Sequence, residues 1–385
     1  MLRFLTAGES HGKALTAVVE GVPAGLRLDE EFVARDLKRR QGGYGRSQRQ
    51  MMEHDRAEIL SGVRLGLTMG SPITLVIWNR DWENWKTAMS VSPVEGDTKR
   101  ITRPRPGHAD LAGVTKYALD DVRPILERAS ARETAARVAV GAVARRFLEE
   151  FGVEIHSHSL AIGGEWARVV APVDWEQVEI SLVRCADTMA EKGMMAAIEE
   201  AMGSGDTVGG VSEVVAFGVP VGLGSHIQWD RRLDGRIAQA MMSIQSVKGV
   251  EIGDAFKVVN ERGSQVHDGV EMGGESRYPW RRTSNRAGGI EGGISNGEPI
   301  VLRLAVKPIP TLAKPLPSVD LATGESVQAH FERSDVCVVP AVGVIGEAML
   351  SIVLAEAILE KFGGDSMGET RRNFDGYLNS IGGSR

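Results

Sequence analysis

Two histidines stand where a ring could be presented to a ligand. They are His11, in Gly8-Glu9-Ser10-His11-Gly12, and His108, at the end of Arg103-Pro104-Arg105-Pro106-Gly107-His108. Glycine supplies backbone angles that other residues avoid, and proline restricts the approach to the ring. With an ordinary pKa of ~6.5, either imidazole can move a proton near neutrality. The first stretch is open to two readings, a surface turn or an active-site loop carried on rigid flanks. His156 and His158 alternate on a predicted strand and read as one exposed face, while His54, His226, His267 and His330 have no comparable setting.

Arginine gathers in three Gly- and Pro-rich stretches: KRRQGGYGRSQRQ (38–50), KRITRPRPGH (99–108) and RYPWRRTSNRAGG (277–289). The chain as a whole carries 45 Lys and Arg against 51 Asp and Glu, a net −6, which argues against a general nucleic-acid binder. A compact polyanionic ligand, gripped by planar guanidinium forks, would explain the three stretches together. A helix predicted over 130–152 starts at Ser130-Ala131-Arg132-Glu133, a capping-box pattern. Its N-terminus, flanked by Arg128 and Arg132, is either only a cap or an anion site. Arg333 and Asp335 precede a further apolar segment and read on their own as a surface pair. The glycine-dense run 285–299 lets backbone approach a ligand but is no Rossmann fingerprint. Walker, HExxH and GxSxG patterns are absent as well.

The elements that must position these groups are mixed. Strands are predicted over 71–78, 153–164 and 298–308, and buried helices over 187–202 and 343–362, which gives an α/β or α+β class. Gly21-Val22-Pro23-Ala24-Gly25-Leu26 recurs as Gly218-Val219-Pro220-Val221-Gly222-Leu223, each time between a β-branched run and an acid-led amphipathic segment. That order predicts strand, turn and helix twice over, in a duplicated half-fold. The apolar runs fall short of the ~20 residues of a membrane span, and no signal peptide is expected at the start. Cys185 and Cys337 make neither a disulfide framework nor a metal-ligand cluster, so a reducing cytoplasm is expected.

In order along the chain, GESHG (8–12), RPGH (105–108), SARET (130–134), VKGVEIGD (247–254), GGIEGGISNG (288–297) and Arg333-Ser334-Asp335 with Cys337 resemble the signatures of the chorismate synthase family. The departures are Gln245-Ser246 and Val336, where many members carry Asn-Ala and proline. The resemblance implies a single α+β domain, a β-α-β sandwich of two pseudo-symmetric halves at roughly 1–195 and 196–385. It implies elimination of phosphate from 5-enolpyruvylshikimate 3-phosphate to give chorismate, the last step of the shikimate pathway, with reduced FMN as cofactor. His108 would protonate the departing phosphate, His11 would serve the flavin, and Asp335 would organise removal of the ring proton. Substrate contacts fall to Ser10, Arg46, Arg132 and Arg333. Cofactor contacts fall to Arg40, Arg46, Arg128, Ala129, Ser130, Gln245, Ser246, Gly292, Lys307, Pro308, Ile309, Pro310, Thr311 and Arg333, with Arg40 and Arg46 on the loop assigned to the reduced cofactor. A homotetramer is expected, with flavin reduction by an external reductase or by NADPH. The rival class is a non-catalytic nucleotide- or RNA-binding protein. It would interleave aromatics for stacking, yet aromatic content is 5% and only Tyr44, Tyr278 and Trp280 lie among the basic runs.

Overall fold

The computed structural model describes residues 2–46, 54–96, 98, 100–273, 278–332 and 334–382. Two antiparallel sheets enclose a layer of helices, so the class is α+β. The first sheet has the order Arg3–Ala7, Ala14–Glu20, Ile73–Trp78, Glu58–Ser61. The second runs Glu165–Trp166, Glu154–Ile162, Gly210–Phe217, Ile300–Val306, Val247–Ile252. Alternation in Ile300–Val306 sends Ile300, Leu302, Leu304 and Val306 into the core.

Between the sheets lie the Thr134–Glu149 and Val339–Phe362 helices. Their crossing is close enough that a Cβ on Gly141 would stand 2.3 Å from the Cβ of Ala348, so only glycine fits there. The second helix is long and apolar enough, by length and composition, to cross a membrane, contrary to the expectation from the sequence. It is buried between the two sheets, with the carboxylate of Glu347 inside the core. The Glu30–Gln41 helix packs across both. It starts where Asp29 Oδ1 accepts from the Phe32 amide at 2.8 Å, and Lys38, Arg39 and Arg40 complement its C-terminal dipole.

The repeated hexapeptides occupy matching places. In the first, Gly25 N donates to Thr68 O, and Leu26 N donates to Thr68 Oγ1, which itself donates to Pro23 O. In the second, Gly222 N, Leu223 N and Pro220 O make the same three bonds with Ser295. Four strands of each sheet also follow the same order in the chain, with Glu154–Ile162 standing where Arg3–Ala7 stands in the first. A division at 195/196 would cut the Thr188–Ser204 helix, whereas one just before Glu154 separates the two matching sets.

Several local expectations are corrected. The predicted helix 130–152 is a 3-10 turn, Ala131–Glu133, followed by Thr134–Glu149. Ser130 Oγ caps by accepting from Arg132 N at 3.3 Å, but Glu133 does not close the box. Its carboxylate bonds instead with Thr6 and Arg137, a tertiary competitor invisible in the local pattern. The helix predicted as buried over 187–202 lies at the surface, burying only Met194, Ile198 and Ala201. His156 and His158 do not form an exposed face. His156 stacks on Trp175, and His158 is buried with Nε2 3.0 Å from Glu213.

Candidate active site

The Gly8–Gly12 turn joins the first two strands of the first sheet. Gly8 has φ +103°, and a Cβ there would strike Ala14 O at 2.4 Å, so the sharp reversal demands glycine. The turn is fastened from outside. Ser10 N donates to the carbonyl of Glu127, at 3.1 Å, and Asn79 Nδ2 donates to Gly12 O at 2.9 Å. His11 is buried, with its backbone N–H 2.7 Å from Glu127 Oε2 and its Nδ1 2.8 Å from Glu127 Oε1. Trp85 stacks on the imidazole at a centroid distance of 3.7 Å. Burial alone would raise the pKa of Glu127. Hydrogen bonds and charge from His11, with Arg123, outweigh that and hold the carboxyl below its ordinary value.

His108 is built by a different loop to a similar plan. Its Nδ1 lies 2.5 Å from Oδ1 of Asp110, the fully buried first residue of the Asp110–Tyr117 helix. Arg105 clasps the same carboxylate through Nε at 2.8 Å and its own amide at 3.0 Å, and donates Nη1 to Thr311 Oγ1 at 2.9 Å. These bonds overcome the burial penalty, so Asp110 is held well below the ordinary carboxylate range. Glu332 connects the two histidine loops. It accepts from Arg123 at 3.0 Å and is pulled down to about 2, against burial, by His330, Arg123, His11 and Arg105.

A third group is cationic. Asp55 accepts from Arg40 at 2.9 Å and from Arg132 at 2.5 Å, and Arg46 pairs with Asp335 at 3.0 Å. All five side chains are close to fully buried. Arg40 is pushed down to about 10 by burial and by the neighbouring charges of Arg132 and Arg46, with Asp55 opposing. Among the described residues three guanidiniums thus meet two carboxylates. Excess positive charge of this kind in a desolvated place suits an anion.

A further wall is made by Lys307–Thr311. Lys307 N donates to Ser246 O at 2.9 Å, its Nζ to Gly107 O at 2.9 Å, and Pro310 sits against Gly107. Ser246 holds φ +70°, a strained angle of a kind that clusters at functional sites. Gln245 reaches Glu133 through Nε2 at 3.4 Å, beside a cavity of about 440 Å³ that Arg128 also lines.

The whole of residues 2–359 matches the family model described as Chorismate synthase. The chain belongs to that family. It is 59% identical over 390 residues to the chorismate synthase of Desulforudis audaxviator, covering 100% of this chain and 99% of the relative. The chorismate synthase of Pelobacter propionicus is 55% identical over 390 residues, covering 99% of each. A crystal structure of a chorismate synthase superposes with TM-score 0.80 at 47% identity, over 99% of this chain and 98% of that one.

Most residues singled out through the chorismate synthase resemblance converge. Ser10, His11, Glu127 and Ser130 form one cluster, in which Ser130 Oγ donates to Ser10 Oγ at 3.2 Å. His108 and Lys307–Thr311 form the adjoining wall, and Arg40, Arg46, Arg132 and Asp335 the cationic corner. Arg128 lies near, but its guanidinium donates to Thr6 and Gly8 carbonyls, and Ala129 ends the helix that carries it. Gly292 is not brought in. It sits on the Ile290–Ser295 hairpin, beyond the opposite end of Ile300–Val306 from Lys307, about 20 Å along that strand. Arg333 lies outside the described residues, as do parts of the three arginine stretches. The described arginines of the third stretch have carboxylate partners of their own. Arg281, Arg282 and Arg286 pair with Glu271, Glu291 and Glu261 near that hairpin.

Sequence reasoning missed Glu127, Arg123, Asp110, Asp55, Glu332 and Trp85. Asp110, two residues beyond His108, was within reach of a local argument. The others come from remote segments and left no signal in the pattern.

The residues present fit FMN. Gln245 Oε1 and Arg46 Nε are buried without a hydrogen-bond partner among the described residues. A ligand carrying ring N–H groups and a phosphate offers complements to both an acceptor and a donor. Arg128, Ser130, Gln245 and Lys307 are the side chains that would hold such a group.

Proposed function

We propose that the chain is a chorismate synthase, a carbon–oxygen lyase that removes phosphate from 5-enolpyruvylshikimate 3-phosphate and uses reduced FMN. The observation that carries this reading is the pairing of two histidine–carboxylate dyads with a buried corner of excess guanidinium charge. The substrate bears one phosphate and two carboxylates. Arg40, Arg46 and Arg132 supply planar donors for such groups in a dry environment. His108, oriented through Nδ1 by Asp110, donates a proton to the phosphate as the C–O bond breaks and its electron pair leaves with oxygen. Asp335, held by Arg46, organises the removal of the ring proton whose C–H electrons become the new double bond. Reduced FMN, when bound, would supply electron density to the allylic system without net redox change, since loss of phosphate and a proton leaves substrate and product at one oxidation level. His11 holds the proton on the flavin side of the site.

The same reading extends to assembly and setting: one domain of two repeats meeting just before Glu154, a homotetramer, and the cytoplasm. Flavin is reduced by an external reductase or with NADPH. The nucleic-acid-binding alternative gains nothing from Arg281, Arg282 and Arg286 of the third stretch, each of which is engaged in an ion pair. The test is an anaerobic assay with oxidised FMN, reduced FMN and reduced 5-deaza-FMN. Chorismate forms only with reduced FMN, which ends the cycle still reduced; product with oxidised FMN or none overturns the mechanism.

A further inference from the structure

Glu127 directs two of its hydrogen bonds at the His11 turn. Both oxygens are used on one residue: Oε2 accepts from the His11 amide at 2.7 Å, and Oε1 meets His11 Nδ1 at 2.8 Å. The backbone carbonyl of the same residue takes the Ser10 amide at 3.1 Å. A side chain engaged at both the amide and the ring of one histidine fixes the position of the turn and the rotation of the imidazole together. We infer that Glu127 is a positioning residue that locks the proton of neutral His11 on Nδ1.

The argument is one of donors and acceptors. An ionised carboxylate only accepts, so a ring nitrogen at 2.8 Å from it carries the proton. Glu127 stays ionised because Arg123 Nη1 also donates to Oε1, at 3.1 Å, and the side chain is fully buried among these donors. Arg123 is in turn held by Glu332 at 3.0 Å, and its guanidinium lies over Trp85, 5.3 Å from the ring centroid. Trp85 stacks on His11, so one face of the imidazole is covered and its plane is set from a second direction. Groups that face His11 include Glu127 and Arg123 from the Arg123–Ala129 helix, Trp85 from the Trp82–Trp85 turn, and Glu332 from the segment before Asp335. A free imidazole in water favours the Nε2–H tautomer. The protein enforces the other one.

This inference rests on the reading of His11 as the proton-handling group on the flavin side of the site, and its test separates the two. The full chain, labelled with 15N-histidine, is observed without ligand at a pH where His11 is neutral, and His11→Asn identifies the resonances. Wild type shows His11 protonated on Nδ1. Glu127→Ala moves it toward the Nε2–H form and lowers kcat about 10-fold or more, with KM for the substrate within about 3-fold. Glu127→Gln keeps an acceptor oxygen and restores most of the tautomer and part of kcat. Wild-type His11 protonated on Nε2 overturns the inference without any variant having to fold. So does an unchanged tautomer in Glu127→Ala, or a shifted tautomer with full kcat. Absence of chorismate formation by wild type, with the tautomer as stated, removes the functional reading and leaves the positioning by Glu127 standing.

Discussion

Arg39 and Arg40 are consecutive residues on one helix, about 100° apart around its axis, and they end in two unlike clusters of buried charge. Arg39 turns to the middle of the sandwich. There it donates to Glu347 at 2.6 and 2.9 Å, alongside Arg145, Arg184 and Ser157, while Asp36 and Glu179 supply further carboxylates. Among the described residues these three guanidiniums meet three carboxylates, and Arg35, which reaches Asp36 at 3.5 Å from the surface, is answered by Glu149 at 3.7 Å, so the charge is balanced. Arg40 turns instead to Asp55, Arg132 and Arg46, where carboxylates are one short among the described residues. Among the described residues the first cluster is matched in charge, whereas the second holds one more guanidinium than carboxylates. Burial and charged partners are common to both, so neither property alone marks a binding site.

The largest effect is expected from removing the acceptor of the balanced cluster. Charge from Arg39, Arg145 and Arg184 overcomes burial and holds Glu347 far below the ordinary carboxylate range. Glu347→Ala strands those guanidiniums in the core and is expected to cost about 3–5 kcal/mol of stability. Urea denaturation measures it, and a loss under about 1 kcal/mol would mean the cluster relaxes and the contrast with the Arg40 side is weaker than drawn.

In the unbalanced cluster the loss falls on binding. Arg132→Ala or Arg46→Ala is expected to weaken substrate binding by about 1–3 kcal/mol, with lysine rescuing only in part because it lacks the planar fork. Calorimetric titration of the substrate reads this directly. Unchanged affinity in both variants would place the anion elsewhere.

This contrast also marks how far the sequence could be read. The glycine-flanked His11, the Pro-Gly approach to His108 and the Ser130 cap were legible because turn and cap chemistry is local. The strand–turn–helix order of the repeats was legible for the same reason. The fates of Arg39 and Arg40 were not, since nothing in Lys38-Arg39-Arg40 says which carboxylate 15 or 308 residues away will face each one. Glu127, Asp55 and Glu332 were missed on the same ground. Their roles are made by the meeting of distant segments. The capping box failed at Glu133 because Thr6 and Arg137 are better placed than the local amide.

Acid sharpens the comparison at the next level. Glu179 beside the balanced cluster and Glu332 between the histidine loops are both drawn down to about 2 from an ordinary 4.5; burial opposes, and it is outweighed by Arg39 and Arg184 for Glu179 and by His330 and Arg123 for Glu332. Between those values the unfolded chain binds more protons than the folded one, so stability is lost as pH falls. The stability these two groups contribute should be level above about pH 5 and drop between about 4.5 and 2. Glu332→Gln should flatten part of that slope, read from urea midpoints at pH 6, 4 and 3. An unaltered slope would show that the link between the histidine loops contributes nothing in acid.

The smallest effect belongs to the third arginine stretch, and it decides whether the contrast holds across the molecule. Arg281 and Glu271 pair at 3.1 Å with both side chains about half exposed, 55% and 52%. A pair in that setting is screened by water and salt and contributes at most about 1 kcal/mol. The stretch lies by the Ile290–Ser295 hairpin, where Arg282 meets Glu291 and the carbonyl of Asn296, so Arg281, Arg282 and Arg286 each already have a local acceptor. Arg281→Ala should therefore change stability by less than about 1 kcal/mol and leave substrate affinity where it was. A tenfold loss of affinity in this variant would return the third stretch to the anion site, and balanced pairing would no longer distinguish structural arginines from binding ones. Equal affinity, set beside the loss in Arg132→Ala, would locate the binding charge at the corner where guanidiniums outnumber carboxylates.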